Sequence, residues 1–600
     1  MSGSNQNDAN GLQVGSGFLF HPVLSTPVFT PEKFTDDHIQ FRKTARDFVA
    51  GEVEPWVDDI EHKKPGIMVK LMEKAAELGL FMVEIPEAYE GLGADKVTGM
   101  IIAEALSHVG SFAVTHGAHT GIGTLPIVFY GTEEQKKHYL PKLASGELMG
   151  AYALTEPGSG SDALAAKTTA KLTDDGKQYV LNGTKQFITN GAWAGLFTVF
   201  AQVDGEKFTA FLVERKTDGI TIGPEEHKLG IRGSSTTQVI LDDVHIPKHS
   251  VLGDIGRGHK IAFNILNIGR WKLGIGSIGA AKCALGHGVR FAQDRKQFKK
   301  SISSFGLIRQ KIASSATLIY AGETMAYRLG GMLDARIESI DPGADDVDKQ
   351  VEKVIEEFTI EASIVKVFGS ETLNFVADEM LQLHGGYGYI EDYPLERIWR
   401  DARINRIFEG TNEINRLIIP ATLLKRALKG QVPLMQFTQD VIAQLADPDT
   451  LPQKGEGSLG YEIWGTELAK RAVVFSASYA AQKYMVDLQE KQRILGSLAD
   501  CLIDLYGMDS VVARASQAIE QSGDQNAGIH VQLTKLYCFE GRANTFQRLR
   551  RIAMMMAEGD ELDTLYDNLG KLDQRYRVDY MGLQDAVAER MLDEDGYELA

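Results

Sequence analysis

Residues 169–191 read TAKLTDDGKQYVLNGTKQFITNG. Apolar and polar residues alternate with a period of two, and two turn signals, Asp174-Asp175-Gly176 and Asn182-Gly183, break the alternation. The stretch predicts strand, turn, strand, turn, strand. The same grammar returns in LFTVFAQVDGEKFTAFLVER, residues 196–215, around Asp204-Gly205, and TTQVILDDVHIPKHSVLG, residues 236–253, closes the segment. On both sides of it the apolar period is helical. The expected fold is therefore mainly α with an inserted antiparallel β domain, residues 151–262.

Outward toward the N-terminus, FTDDHIQFRKTARDFVAGEV and GIMVKLMEKAAELGLFMVEIP place apolar residues at helical spacing, with Thr35 or Asp36 as the N-cap. Small and apolar residues continue through GMIIAEALSHVGSFAVTHGAHTGIGTLPIVFYG, and EEQKKHYLPKLASGELMGAYAL adds an amphipathic helix. This gives a helical domain over 36–150. Before it, residues 1–35 form a polar arm in which Pro22, Pro27 and Pro31 oppose regular structure.

Outward toward the C-terminus, residues 263–430 predict a helical bundle: KIAFNILNIGRWKLGIGSIGAAKCALGHGVRFAQDR, SFGLIRQKIASSATLIYAGETMAYRLGGML and a third helix over about 345–380. The acidic run ESIDPGADDVDKQ reads as a solvated connector. Residues 431–454, with Pro433, Pro448 and Pro452, read as a linker, and 455–600 as an additional helical domain.

Six hundred residues exceed a single core, so several domains are expected. A hydrophobic share of 44% and a charged share of 24% are those of a globular protein. The net charge of −18 disfavours nucleic acid and anionic membrane, and nothing in the sequence supports peripheral membrane association. Cys283, Cys501 and Cys538 are the only cysteines and none lies in a CxxC, which argues against a disulfide framework or zinc and for a reducing compartment. The first residues, MSGSNQNDANGLQVGSG, lack a basic region followed by an apolar one and read as neither a secretory signal nor a transit peptide. No apolar run approaches the roughly 18 residues of a membrane span. A bacterial-type cytoplasmic protein is the expectation, with no metal site.

Several short motifs carry chemistry. GIGSIG, 274–279, matches GxGxxG but follows no strand, so close helix packing explains it better than a dinucleotide site. YALTEPGSGSD, 152–162, sets hydroxyls beside turn N–H groups, suited to a flavin edge or a pyrophosphate and equally to an ordinary β-entry loop. In KQFITNG, 185–191, Phe187 and Thr189 fall on one side of a strand and could wall a planar ring or pack a core. Arg295 in DRKQF could clamp a phosphate, and Gly385-Gly386 in QLHGG could admit close backbone approach. RDARINRIFEGTNEINR, 400–416, surrounds Glu409 with Arg400, Arg403, Arg406 and Arg416 and follows it with a Gly-Thr-Asn turn.

The order YALTEPGSGSD, KQFITNG, NIGR, DRKQF, QLHGGYGY, RIFEGTNEINRL across a helix–β–helix chain resembles the acyl-CoA dehydrogenase family. GAHTGIGTLPIVFYGTEEQKKHYLPKLASGE, SFGLIRQKIA with Gly306, and ADCLIDLYGMDSVVARAS look like its very-long-chain branch, which carries a C-terminal helical extension. The resemblance implies FAD lying extended between domains. It places Tyr152, Leu154, Thr155, Gly160 and Ser161 along the cofactor, with Ser161 also toward the CoA side, and Phe187, Ile188 and Thr189 against the ring. Thr411 and Glu413 follow on the turn. Arg295, Phe298, Gln382, Gly385 and Gly386 would reach the FAD of a neighbouring subunit, which implies a homo-oligomer, and the extension favours a dimer. Asn267, Arg270 and Gly410 would face substrate.

The resemblance also implies the base. Family members place it at the position of Glu409 or at that of Gly269; glycine cannot serve, which leaves Glu409. It would take the thioester α-proton while a β-hydride passes to flavin N5, giving trans-2-enoyl-CoA, with electrons handed to an electron-transfer flavoprotein. A carboxyl doing this needs a raised pKa, so Glu409 should point away from Arg403 and Arg406, into a pocket. Gly121 and Gly123 are compatible with a deep channel for a long acyl chain. An oxidase of related fold that uses oxygen, and a non-catalytic scaffold, are the alternatives.

Overall fold

The computed structural model describes residues 13–344 and 346–599; the N-terminal reading over residues 1–12 lies outside them. The β domain is one twisted sheet. Its strands are β1 (Gly150–Ala153), β2 (Thr169–Leu172), β3 (Gln178–Thr189), β4 (Leu196–Val203), β5 (Lys207–Glu214), β6 (Ile220–Ile222), β7 (Thr236–Pro247) and β8 (Val251–Leu252). They run in the order β6-β7-β3-β2-β4-β5-β8, with β1 beside β4. The β4–β5 hairpin turns at Asp204 and Gly205, both left-handed (φ 55° and 77°), as that dipeptide favours.

Two expectations for the sheet are corrected. It is not purely antiparallel, because β1 and β2 both pair parallel with β4. Asn182-Gly183 is also not a turn: β3 runs straight through it, with register shifts between Leu181 and Gly183 and between Lys185 and Ile188. A Cβ at Gly183 would lie 2.4 Å from the Thr168 hydroxyl, so the glycine serves close approach rather than reversal. The second shift breaks the alternation. Lys185 and Gln186 are both buried, and Phe187, at φ 58°, is turned out and 61% exposed. Phe187 and Thr189 therefore do not simply share one face of a regular strand.

Helices pack on the sheet from both sides in sequence. Thr35 caps the helix Asp36–Phe48 with a capping box to His38. The helices Lys96–Ala105 and Gly110–Gly117 lie against the bundle's long helix, Gly258–Asp294. That helix contains GIGSIG, and its Gly274 backbone meets Gly369 of the helix Thr359–His384: a Cβ on Gly369 would sit 2.4 Å from the Gly274 carbonyl. Small residues here let two buried helices close on each other. The expected third helix over 345–380 is two, Val347–Glu357 and Thr359–His384, broken at Phe358.

The expected linker 431–454 is corrected as well. Pro433 precedes a helix, Leu434–Ala446, whose Val441 and Leu445 are buried and which packs on the helix Gly460–Tyr484. Proline just ahead of a helix opens it rather than breaking it. The additional domain follows with the helices Gln492–Asn526, Gly528–Met556, Gly559–Leu572 and Tyr580–Asp593. It is tied to the bundle by buried charges. Asp509 accepts from Arg328 (2.7 Å) and Lys470 (2.6 Å), and Arg514 pairs with Glu323 (2.7 Å) and Glu32 (2.5 Å). Among the described residues no helix is long and apolar enough to cross a membrane.

Candidate active site

The turn after the helix Pro394–Ala402 is what sets Glu409. Glu409 and Gly410 are both left-handed, at φ 57° and 78°. Thr411 caps the next helix, Asn412–Leu428, through its hydroxyl. Non-glycine residues at positive φ are uncommon and need support from their surroundings. Here Asn415 donates to the Gly410 carbonyl (2.8 Å) and the Thr411 carbonyl (3.1 Å). Lys366 Nζ donates to the Gly410 carbonyl (2.7 Å) and to Asn412 Oδ1 (2.8 Å). Arg270 Nε reaches the Glu409 carbonyl (3.4 Å) and is itself held by Asn267 (2.7 Å). Asn267 and Arg270 are buried and brace the loop from beneath, and neither lines the cavity above it.

The Glu409 carboxylate enters a cavity of about 210 Å³ between the helices Lys96–Ala105, Gly110–Gly117 and Gly258–Asp294. Its Oε2 is sealed from solvent and has no hydrogen-bond partner. A Cβ on Gly269 would lie 2.5 Å from that oxygen, so the carboxylate occupies the space that glycine leaves. The walls are mostly small and apolar, Ile102, Val114, Gly117, Gly121, Leu273 and Phe408 among them, with Thr189 at the sheet side and His108, Lys272, Arg397 and Asp401 also in the lining. Burial pushes the carboxyl up to about 7, and Arg270 and Lys366 partly oppose it. The same burial lowers Lys366 to about 7. The Glu409 N–H has no acceptor among the described residues.

The four flanking arginines are engaged elsewhere or turned away. Arg400 pairs with Glu61 and Glu396, and Arg416 with Glu371 and Asp500. Arg403 and Arg406 line a separate hollow beside Trp399. The cations that do bear on Glu409 come from two other helices. Lys366 was missed in the sequence, where its signal was a lone cation in the apolar run Ile364-Val365-Lys366-Val367.

Around the cavity the other predicted residues form two groups. Tyr152 and Leu154 are buried at the end of β1, and burial, with the Glu409 charge adding to it, raises the Tyr152 hydroxyl. Thr155 follows, its carbonyl accepting from the Gln186 N–H (2.8 Å), which places Phe187 beside it and Ile188 beneath. The loop rests on a buried ion pair. Lys185 Nζ meets Glu156 (2.7 Å) and the Leu154 carbonyl (3.3 Å), while Glu156 also accepts from the Lys167 and Thr168 N–H groups (2.6 and 3.0 Å). Gly160 and Ser161 are exposed at its far end, and Glu413 is exposed on the helix beyond Thr411. The second group is remote from Glu409. Arg295, Phe298, Gly385 and Gly386 line one hollow at the end of the long helix, with Gln382 exposed one turn before the glycine pair. Phe298 is 87% exposed, the Arg295 guanidinium lies over the Tyr387 ring (5.4 Å), and a Cβ on Gly385 or Gly386 would meet nothing within 4 Å.

Comparison with known proteins agrees with this architecture. The acyl-CoA dehydrogenase N-terminal domain matches residues 35–147, the middle domain 151–244 and the C-terminal domain 256–424; a further acyl-CoA dehydrogenase C-terminal domain matches 468–571. The chain is 47% identical over 94% of its length to a probable acyl-CoA dehydrogenase of Bacillus subtilis, covering 95% of that protein. It is 35% identical to the bovine mitochondrial very long-chain specific acyl-CoA dehydrogenase, over 86% of this chain and 80% of that one. An acyl-CoA dehydrogenase from Bacillus anthracis, solved in complex with FAD, superposes with a TM-score of 0.95 at 44% identity, covering 98% of this chain and all of that one. The chain belongs to the acyl-CoA dehydrogenase family.

Proposed function

We propose that the protein is an FAD-dependent acyl-CoA dehydrogenase that oxidises long-chain acyl-CoA to trans-2-enoyl-CoA, with Glu409 as the base. The observation that carries the reading is the Glu409 carboxylate: raised to about 7, unpartnered at Oε2 and set at the head of an apolar cavity. The residues present fit the cofactor. Phe187 offers an exposed flat face between Gln186, tied to Thr155, and Thr189, which lines the cavity. Arg295, Phe298, Gln382, Gly385 and Gly386 offer a cation, an aromatic face and open backbone on an outer surface, suited to the adenosine and phosphate end of an FAD held by a second copy of the chain. Bound there, FAD supplies the hydride acceptor.

The chain's own part is proton transfer and orientation. An ordinary carboxylate is too weak a base for a thioester α-proton; burial brings the two closer in pKa. The Glu409 N–H, free of other acceptors among the described residues, would donate to the thioester oxygen as negative charge develops there. Lys366, Asn415 and Arg270 hold the turn so that the carboxylate does not swing out. The cavity receives the alkyl chain, which on entering would displace water from beside the carboxylate. An electron-transfer flavoprotein as acceptor, a place in fatty-acid β-oxidation, a homodimer and a reducing cytoplasm complete the reading.

Titrating the anaerobic flavoprotein with acyl-CoAs from short to very long chains tests it. Bleaching of the yellow flavin band is expected, and lost by several orders of magnitude in rate in Glu409→Gln with FAD retained. Near-native bleaching in that variant would sink the assignment. Peroxide release at the turnover rate under air would make it an oxidase, and a colourless protein unable to take up FAD would make it a scaffold.

A further inference from the structure

The connection between β6 and β7 leaves the sheet and crosses to the helices. Its tip reads Leu229-Gly230-Ile231-Arg232-Gly233. Both glycines are buried against other segments: a Cβ on Gly230 would overlap the Arg400 carbonyl, in the helix Pro394–Ala402, and one on Gly233 would overlap Ile60. The tip is also fastened by hydrogen bonds. Lys228 Nζ donates to the Ser234 carbonyl (2.6 Å), the Ser234 hydroxyl (2.7 Å) and the Thr236 hydroxyl (2.9 Å). The Gly233 N–H donates to Ser111 Oγ (3.1 Å), and Arg400 donates to the Leu229 carbonyl (3.2 Å).

Ile231 is the odd residue in this tip. It is β-branched yet sits at φ 44°, a conformation such residues hold only where the surroundings impose it. Asp401 imposes it here: its buried carboxylate accepts the Ile231 N–H in a short contact. Ile231, half-buried, and Asp401 both line the Glu409 cavity. They stand at its end away from Glu409. The Cβ position of Gly110 lies 2.9 Å from Asp401 Oδ2, and Ser107, just before Gly110, closes on Gly279. Gly279 is about 15 Å along the long helix from Gly269, at about 1.5 Å per residue. Glycine would take the Ile231 backbone without strain, so the turn itself does not call for an isoleucine.

We propose that Ile231 is a specificity-determining residue of the acyl cavity and that Asp401 is its positioning residue. Held left-handed by the carboxylate, the isoleucine narrows the distal part of the cavity to the width of an unbranched chain. The inference rests on the acyl-CoA reading above. Asp401 acts through the backbone of Ile231, and the neighbouring Arg400 and the two glycines keep the tip from drawing back when a chain enters.

The test measures kcat/KM of the FAD-loaded enzyme for a straight long-chain acyl-CoA and for the same chain with one methyl branch, moved through its distal half. Wild type should reject at least one branch position by about tenfold, the worth of one carbon in a fitted apolar pocket. Ile231→Gly, relaxed at this φ, should keep its flavin and raise the branched-to-straight ratio at that position about tenfold. Asp401→Ala should raise the same ratio. Asp401→Asn, which keeps an acceptor for the Ile231 N–H, should hold the wild-type ratio, and Asp401→Ala added to Ile231→Gly should change it no further. A wild type indifferent to branching, or an Ile231→Gly ratio within about twofold of wild type, overturns the specificity role. Asp401→Asn behaving as Asp401→Ala, or an Asp401→Ala that loses its flavin, makes Asp401 a residue of the fold and overturns its positioning role. Absence of flavin reduction by every chain, in wild type, overturns the dehydrogenase reading and this inference with it.

Discussion

Glu409→Gln separates the chemistry of the base from the cost of holding it. Burial raises the Glu409 carboxyl from 4.5 to about 7 in the folded protein. A folded pKa above the unfolded one means that the folded state binds the proton more tightly. The contribution to stability is then fully present below about pH 4.5 and is lost as pH rises toward about 7. At about 1.4 kcal/mol per unit, the charged carboxylate costs the substrate-free fold about 3 kcal/mol above pH 7. Glutamine keeps the shape and removes the charge. The variant should match wild type near about pH 4 and melt higher than it at about pH 8, with the gap opening between. Thermal melts of the holoprotein across that range, without substrate, measure the gap. A gap independent of pH, or a wild type that melts higher at alkaline pH, refutes the reasoning. The same group sets the acid limb of kcat/KM in the free enzyme, expected near pH 7 rather than 4.5.

Lys366→Met removes a cation that lowers the Glu409 pKa, so the acid limb should move above 7, as a pH profile of kcat/KM would show. Gly269→Ala places a carbon 2.5 Å from Glu409 Oε2 and should cut kcat by about a hundredfold through displacement of the base, with FAD retained by absorbance. Lys185→Met leaves Glu156 buried without its cation, a cost of about 3–5 kcal/mol that should appear as FAD lost on gel filtration. Asp509→Asn weakens the pairing of two buried cations, Arg328 and Lys470, and should destabilise the junction of bundle and additional domain by about 3 kcal/mol, read by urea unfolding of the C-terminal region.

The architecture was legible because its period switches are long: the alternation over 169–253 and the helical runs around it leave little choice. What misled were residues whose role depends on distant neighbours. Asn182-Gly183 has the letters of a turn, but Thr168 packs against the glycine and the strand continues. Pro433 looked like a linker mark until the helix after it found a surface on Gly460–Tyr484. At the site, the family resemblance singled out Glu409, and the need for a raised pKa turned it from Arg403 and Arg406, which line a separate hollow. The motifs did not give Lys366, about forty residues earlier in the chain, because a hydrogen bond to a carbonyl leaves no pattern in sequence. The resemblance turned Asn267 and Arg270 toward substrate; what the structure adds is their burial and the Arg270 hydrogen bond to the Glu409 carbonyl, neither of which a motif shows. Ile231 stood in no motif at all; only the folded chain brings it beside Asp401.

The arm before the first helix is held by the far end of the chain. The Val23 N–H donates to Glu467 (2.7 Å), the Val28 N–H to Gln517 (2.8 Å), and Glu32 pairs with Arg514 (2.5 Å). During synthesis these partners arrive late. At about 5–20 residues per second, Arg514 leaves the ribosome roughly 25 to 100 s after Glu32. Through that interval Phe18, buried against the Tyr506 ring in the finished protein (5.0 Å between centroids), waits for that partner. The nascent chain therefore carries an exposed apolar handle near its start for most of its translation, and chaperone dependence should concentrate there.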